Sequence, residues 1–228
     1  VVLRLWLLHR HLAHIAVHRN AVPPDFSANI TLAEHQKAAD YVTAKGKLSR
    51  LEMVLDALLL LAFTLGGLLQ YFDTQLVPLT GSGYWHGIAL FGLVSVTGYL
   101  LALPFELIRT FGIEARFGFN KMTAGLWLQD LLKGAAVTVL IGIPLLLCVF
   151  WLMDVMGEHW WIYVWLVWMG FNLLVLVLYP TVIAPLFNRF TPLQDDVLKT
   201  RIENLLTRCG FSTSGLFVMD GSRRSSHG

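Results

Sequence analysis

The sequence predicts an all-α, polytopic membrane helix bundle that leads, at its C-terminal end, into the start of a packed cytoplasmic domain. Three observations carry this expectation. Hydrophobic residues make up 56% of the 228 and charged residues only 14%, with a mean hydropathy of +0.62, far from the roughly 25% charge of a soluble domain. Four apolar segments, near 51–72, 84–108, 134–153 and 160–180, each reach the length of about 20 residues that a helix needs to cross hydrocarbon. Finally, sixteen of the seventeen Lys and Arg fall in 9–50, 109–133 and 181–228, none falls in 73–83 or 154–159, and Arg4 alone is left over. Because Lys and Arg in short loops resist translocation, the basic segments are expected on the cytoplasmic side. A net charge of +2 and a pI near 8.6 are too mild to argue for nucleic acid, so membrane lipid is the partner that composition implies. Cys148 in an apolar run and Cys209 in a polar tail fit neither a disulfide framework nor a metal pair.

Taken in order, the first apolar run, VVLRLWLL, is too short to span and reads as the end of a first span. The chain opens at Val1 rather than Met, lacks the parts of a signal peptide, and stops inside the polar SRRSSHG, so a fragment of a longer protein is expected. HRHLAHIAVHRN follows, with His9, His11, His14 and His18. His14 and His18 have the spacing that lets two imidazoles share a zinc, but Ile15 stands where His-Glu-x-x-His needs its general base. A solvated helix end just below the membrane is the default there. Asp56 falls one turn inside the second span, and Glu106 near the inner end of the third, where Pro104 can kink the helix. An Asp at mid-membrane costs about 2.5–3.5 kcal/mol on insertion scales; near the inner ends that cost falls, and solvated ends are expected.

The loop EARFGFNKMTAGLWLQDLLKG mixes Glu114, Arg116 and Lys121 with Phe117 and Phe119, and offers Thr123 as a helix cap. Leu128, Leu131, Leu132 and Ala135 then suggest a short helix lying at the interface, a connector ahead of the fourth span. Trp85, Trp151, Trp160 and Trp161 sit at outer span ends as an aromatic belt would, while Trp165 and Trp168 continue inward. In LYPTVIAPLFNRFTPL, Pro180, Pro185 and Pro192 surround Asn188 and Arg189, an exit built to stop one element and start another. A helix is expected over 192–209, with Thr191 as N-cap, Pro192 at N1 and Gln194 completing a capping box. Leu193, Val197, Leu198, Ile202, Leu205, Leu206 and Cys209 form its apolar stripe, and Gly210 its stop. LFVMD at 216–220 reads as a strand, with DGSRRSSHG leaving it as a turn or edge. The boundary thus falls between a membrane part, 1–190, and the beginning of a domain, 191–228. The residues alone leave open an enzyme or a transporter.

The wording of HQKAADYVTAK, EARFGFNKMT, LYPTVIAPLFNRFTPL and VMDGSRRSSHG, in this order from about Leu32 to Gly228, resembles the type I CAAX prenyl protease family of membrane-integrated zinc metallopeptidases. The resemblance implies seven membrane helices around a water-filled chamber, with an α+β zinc-metallopeptidase domain on the cytoplasmic side that begins at 191–228. It makes the Pro-rich exit the hinge into that domain, and the VMDGSRRSSHG strand a neighbour of the cleft. The implied cofactor is Zn, which activates a water for peptide hydrolysis with the motif Glu as base. The implied substrate is a peptide or protein; eukaryotic relatives trim the last three residues after a prenylated Cys. No His-Glu-x-x-His occurs in the 228 residues, and His227 matches none of the ligands. Catalytic and metal residues are therefore none, the ligands being expected beyond residue 228. The Leu- and Ala-rich style suggests a bacterial inner membrane, and with it quality control or peptide processing as the native task. The competing class is a non-enzymatic polytopic protein: a transporter, a sensor, or a relative that lost its zinc site. Transporters commonly show internal repeats, and none is visible.

Overall fold

The computed structural model describes residues 1–213 and 215–226. His227 and Gly228, at the end of the family-like tail, lie outside the described residues, as does Ser214. The chain divides into two compact units, Val1–Asn120 and Lys121–Gly228.

The first unit holds α1 (Val2–His18), α2 (Leu32–Thr64), α3 (Leu68–Thr80), α4 (Tyr84–Leu107) and the one-turn α5 (Ala115–Phe117). Helix α2 starts at a capping box: Thr31 Oγ1 accepts from the Glu34 N–H at 3.3 Å while the Thr31 N–H donates to Glu34 Oε2 at 2.8 Å, satisfying two donors that the first turn leaves unpaired. The helix then runs 33 residues without a break, its polar first half continuous with its apolar second half. Leu12 of α1, Ala39 and Leu48 of α2 and Phe117 are the buried apolar residues of this unit among those described. Contact between α1 and α2 is close because Gly46 has no side chain; a Cβ there would lie 2.7 Å from Leu12 Cδ2.

The expected span 51–72 is broken. Helix α2 stops at Thr64 and α3 leaves it at 57°. Two glycines make the corner: Gly67 has φ +74, in the left-handed region, and a Cβ on Gly66 would meet the Ala62 backbone at 2.9 Å. The expected outer loop at 73–83 is accordingly replaced by α3, with Asp73 in its middle and Pro78 in its last turn, followed by a turn at Gly81. Pro104 does not end or divide the next helix. Helix α4 passes into a π-helical turn at Ile108–Glu114 and on to α5, giving one apolar helix, Tyr84–Phe117, of 34 residues.

In the second unit, Thr123 caps α6 (Ala124–Val155) as expected, accepting from the Leu126 N–H at 3.2 Å. Helix α6 is a single element of 32 residues, so the connector helix of Leu128, Leu131, Leu132 and Ala135 is the first turns of the span itself; nothing in that stretch breaks the backbone ladder. Beyond a turn at Gly157–His159, α7 (Trp160–Leu178) runs into a π-helical turn at Tyr179–Ile183 and then α8 (Ala184–Phe187). The chain therefore does not stop at Pro180. A wide turn accommodates a residue that lacks its N–H, and the helical path ends at Asn188, which is extended (φ −123, ψ 149).

Strand β1 (Phe190–Pro192) pairs antiparallel with β2 (Phe217–Met219), with Phe190 opposite Met219, Thr191 opposite Val218 and Pro192 opposite Phe217. The predicted strand at 216–220 thus has a partner, and Thr191 belongs to a strand rather than to a helix cap. Pro192 holds the residue before it extended, and the capping role passes to Asp195, whose Oδ1 accepts from the Leu198 N–H at 2.9 Å. Helix α9 (Asp196–Arg208) therefore begins four residues later than expected. It ends as expected, with Gly210 at φ +72 and its N–H donating to Thr207 O at 3.1 Å. Of its stripe, Ile202 and Leu206 are half-buried while Val197, Leu198 and Leu205 are exposed.

Among the described residues, three helices are long and apolar enough to cross a membrane, Tyr84–Phe117, Ala124–Val155 and Gly157–Phe187, or four if the bent pair α2–α3 forms one span. At most 6% of their most apolar windows is buried within the chain. Apolar surface on this scale needs a nonaqueous environment.

Candidate functional site

The family-like exit and tail meet in the second unit through Arg224. Its Nε donates to Asp130 Oδ2 at 2.7 Å and its Nη2 to Asp130 Oδ1 at 3.1 Å, a two-point grip on α6. Nη1 donates to Asn188 Oδ1 at 2.7 Å, and Nη2 also to the Phe187 carbonyl. The Arg224 carbonyl accepts from the Lys121 N–H at 3.2 Å. The planar fork of the guanidinium matches a carboxylate at two points, which an ammonium cannot do. With side chains 21% and 17% exposed, the pair is largely withdrawn from water, and Asp130 holds the proton on Arg224 more tightly than usual against the opposing effect of burial.

A second contact closes the same corner. Asp220 Oδ1 accepts from the Arg189 N–H at 2.8 Å, the Asp220 N–H donates back to Arg189 O at 3.3 Å, and Arg223 Nη1 reaches Asp220 Oδ2 at 3.2 Å. The Arg189 N–H foremost, and then Arg223, hold this carboxyl below the usual carboxylate range. Lys133 Nζ donates to Leu186 O at 2.9 Å, adding a cation at the C-terminal carbonyls of α8. The exit from α7, the β1–β2 pair and the first turns of α6 are thus one hydrogen-bonded assembly. Chemically it is a positioning frame, in which Arg224, Asp130, Asp220 and the Asn188 side chain are all engaged by other protein groups.

The residues weighed from the sequence fall apart from this frame or only partly into it. Asn188 is in it by its side chain and Arg189 by its backbone. Asp130, in the quoted loop but not singled out, is the acidic half of the clamp. His14 and His18 stack with ring centroids 4.1 Å apart, but His18 Nδ1 is engaged by the His14 carbonyl at 2.9 Å. Among the described residues, no three His, Cys, Asp or Glu side chains come together as a metal would need, so the residues present do not fit a catalytic zinc. In the first unit, Asp56 lines a groove of about 410 Å³ with Arg4, Leu7, Ser49, Glu52 and Met53, and Glu52 pairs with Arg109. Glu106 stays on α4, two residues before the π-helical turn. Glu114 accepts from the Tyr41 hydroxyl at 2.6 Å, and Tyr41 packs against Phe117 and Phe119 with ring centroids 5.3 and 5.0 Å apart. The aromatic pair of the loop thus serves to seat α2.

Comparison with known proteins places these features. The family described as CAAX prenyl protease N-terminal, five membrane helices, matches residues 11–189. The CAAX prenyl protease 1 homolog of Caenorhabditis elegans is 31% identical over 227 residues, covering 98% of this chain and 50% of that protein. The rice homolog is 41% identical over 142 residues, 62% of this chain and 33% of the relative, and the human homolog 36% over 135 residues, 59% and 28%. The crystal structure of S. mikatae Ste24p superposes with a TM-score of 0.89 at 29% identity, covering 99% of this chain and 54% of that one. The chain spans about half or less of the length of the relatives it matches. These relatives are eukaryotic, and the bacterial inner membrane expected from the style of the sequence finds no support among them.

Proposed function

Since the chain belongs to the CAAX prenyl protease family and is a multi-pass membrane protein of that kind, we propose that it forms the membrane part and the domain entrance of a zinc metalloendopeptidase acting on the C-terminal peptides of prenylated or membrane-associated proteins. The observation that supports this reading best is the Arg224 frame, which seats the β1–β2 pair against α6 at the point where the helical path ends. Strand β2 borders β1 on one side, and its other edge carries backbone groups able to take an extended peptide as an added strand.

The described residues supply no site that fits zinc, so no catalytic step is assigned to them. The protein that carries this chain is expected to hold one zinc and to lose peptide cleavage on treatment with phenanthroline, whereas residues 1–228 alone hold none and cleave nothing. Metal analysis of both purified in detergent checks this. One tightly bound zinc in residues 1–228 that is lost on His14→Ala would move the metal centre to the N-terminal histidines and overturn the reading.

The proposed orientation puts the Lys- and Arg-rich segments in the cytoplasm. Single cysteines at Ser82 and Glu158, in a background with Cys148 and Cys209 replaced, are expected to react with an impermeant maleimide from the outer or lumenal side of sealed membranes. Ones at Thr43 and Thr213 should react only after permeabilisation. The reverse pattern contradicts the orientation.

A further inference from the structure

At the turn between α3 and α4, three side chains form a chain of hydrogen bonds. His86, in the first turn of α4, places Nε2 2.8 Å from Asp73 Oδ1 and Nδ1 3.0 Å from Thr80 Oγ1, while the Thr80 hydroxyl lies 2.9 Å from the Leu76 carbonyl. The imidazole is largely withdrawn from solvent, its side chain 15% exposed against 39% for Asp73.

Counting protons decides the state of this chain. Three short contacts need three protons. With Asp73 ionised, a neutral imidazole brings one and the hydroxyl brings one, so that, whichever ring nitrogen holds the proton, one of the three contacts (His86–Asp73, His86–Thr80 or Thr80–Leu76) is left as two acceptors facing each other. An imidazolium brings two: Nε2–H donates to Asp73, Nδ1–H donates to Thr80 Oγ1, and the Thr80 hydroxyl is free to donate to Leu76 O. All three contacts are then hydrogen bonds, and the one to Asp73 is charge-assisted. Asp73 is the only charged side chain on α3, the first four turns of α4 carry none, and the nearest charge on α2 before its end is Asp56, eight residues before Thr64. No other charged group on these packed elements competes for His86.

Helix α3 leaves α2 at the Gly66–Gly67 corner, where Gly67 is left-handed and a Cβ added to it would meet nothing within 4 Å. Beyond the corner, the side-chain contacts of Asp73 and Thr80 with His86 join α3 to α4. We propose that Asp73, His86 and Thr80 form a proton-dependent latch that holds the bent helix α3 against α4, closed while His86 carries both protons and loosened when it loses one. In the proposed orientation the latch lies on the side away from the basic loops, and so would respond to the pH of that compartment.

The test is a distance measurement between nitroxide labels on Tyr71→Cys of α3 and Phe91→Cys of α4, both exposed, in the full protein reconstituted in lipid with Cys148 and Cys209 replaced. At about pH 5.5 one narrow distance is expected. At about pH 8.5 the distribution is expected to broaden reversibly. His86→Gln should be broad at both pH values, and Thr80→Ala, which keeps the charge pair but removes the acceptor of Nδ1–H, should lose the narrow peak at lower pH than the parent. Circular dichroism run alongside separates a loosened latch, with helicity kept, from a protein that has failed to fold. A narrow distance in the parent at both pH values, or in His86→Gln with full helicity, overturns the proposal.

Discussion

Replacing Arg224 by alanine is expected to release the β1–β2 pair from α6 and to destabilise the unit Lys121–Gly228 by about 1–3 kcal/mol, the cost of leaving a largely buried carboxylate without its partner after some relaxation toward water. The fork of Arg224 engages Asp130 at two points and also Asn188 and the Phe187 carbonyl, so the loss falls on three segments at once. Arg224→Lys should recover little, because an ammonium cannot reproduce the two-point grip. Asp130→Ala should cost a similar amount, and the double variant less than the sum of the two, as expected for residues in one network. Thermal unfolding in detergent gives the magnitudes, and limited proteolysis around 189–195 reports whether β1 has come free. Equal stability and equal protease resistance in Arg224→Ala would show that the frame is incidental.

The second large effect is expected at Gly46→Leu. A Cβ there already meets Leu12 Cδ2 at 2.7 Å and Cδ1 at 3.0 Å, and Leu12 is among the few buried residues. Gly46→Ala should be mild, since the Leu12 side chain can turn away, but a full leucine has no space between α1 and α2. Overpacking of this kind costs about 1–3 kcal/mol. The pairing Gly46→Leu with Leu12→Ala should restore much of the loss, because the added volume then fills the space removed. A double variant no more stable than Gly46→Leu alone would place the strain elsewhere.

The long apolar helices were readable because hydropathy and length respond to the same physical requirement, about 20 residues of apolar surface. The Thr123 cap was readable for a similar reason: it is local. The corner at Gly66–Gly67 was not, although both glycines stand in the sequence, since an apolar window gives glycine no weight for its left-handed φ. At FTPLQDD two caps compete within five residues, and the pairing of Thr191 with Val218, 27 positions away, excludes Thr191. That contact is tertiary and leaves no trace in local propensity. The same is true of Arg224 and Asp130, 94 residues apart; each alone reads as an ordinary solvated charge. Four histidines in HRHLAHIAVHRN, by contrast, drew attention through composition, yet one ring nitrogen of His18 is taken by backbone. Resemblance in four separated stretches carried the family where local chemistry could not.

Cleavage itself is the most direct test of the central claim, that this chain is the membrane part of a CAAX prenyl protease. The protein that carries these residues, purified in detergent, is incubated with a farnesylated peptide ending in Cys and three further residues, and the products are weighed by mass spectrometry. The account predicts release of the last three residues, abolished by phenanthroline and slowed by Arg224→Ala. An intact peptide, from a protein shown to be folded and zinc-loaded, would contradict it.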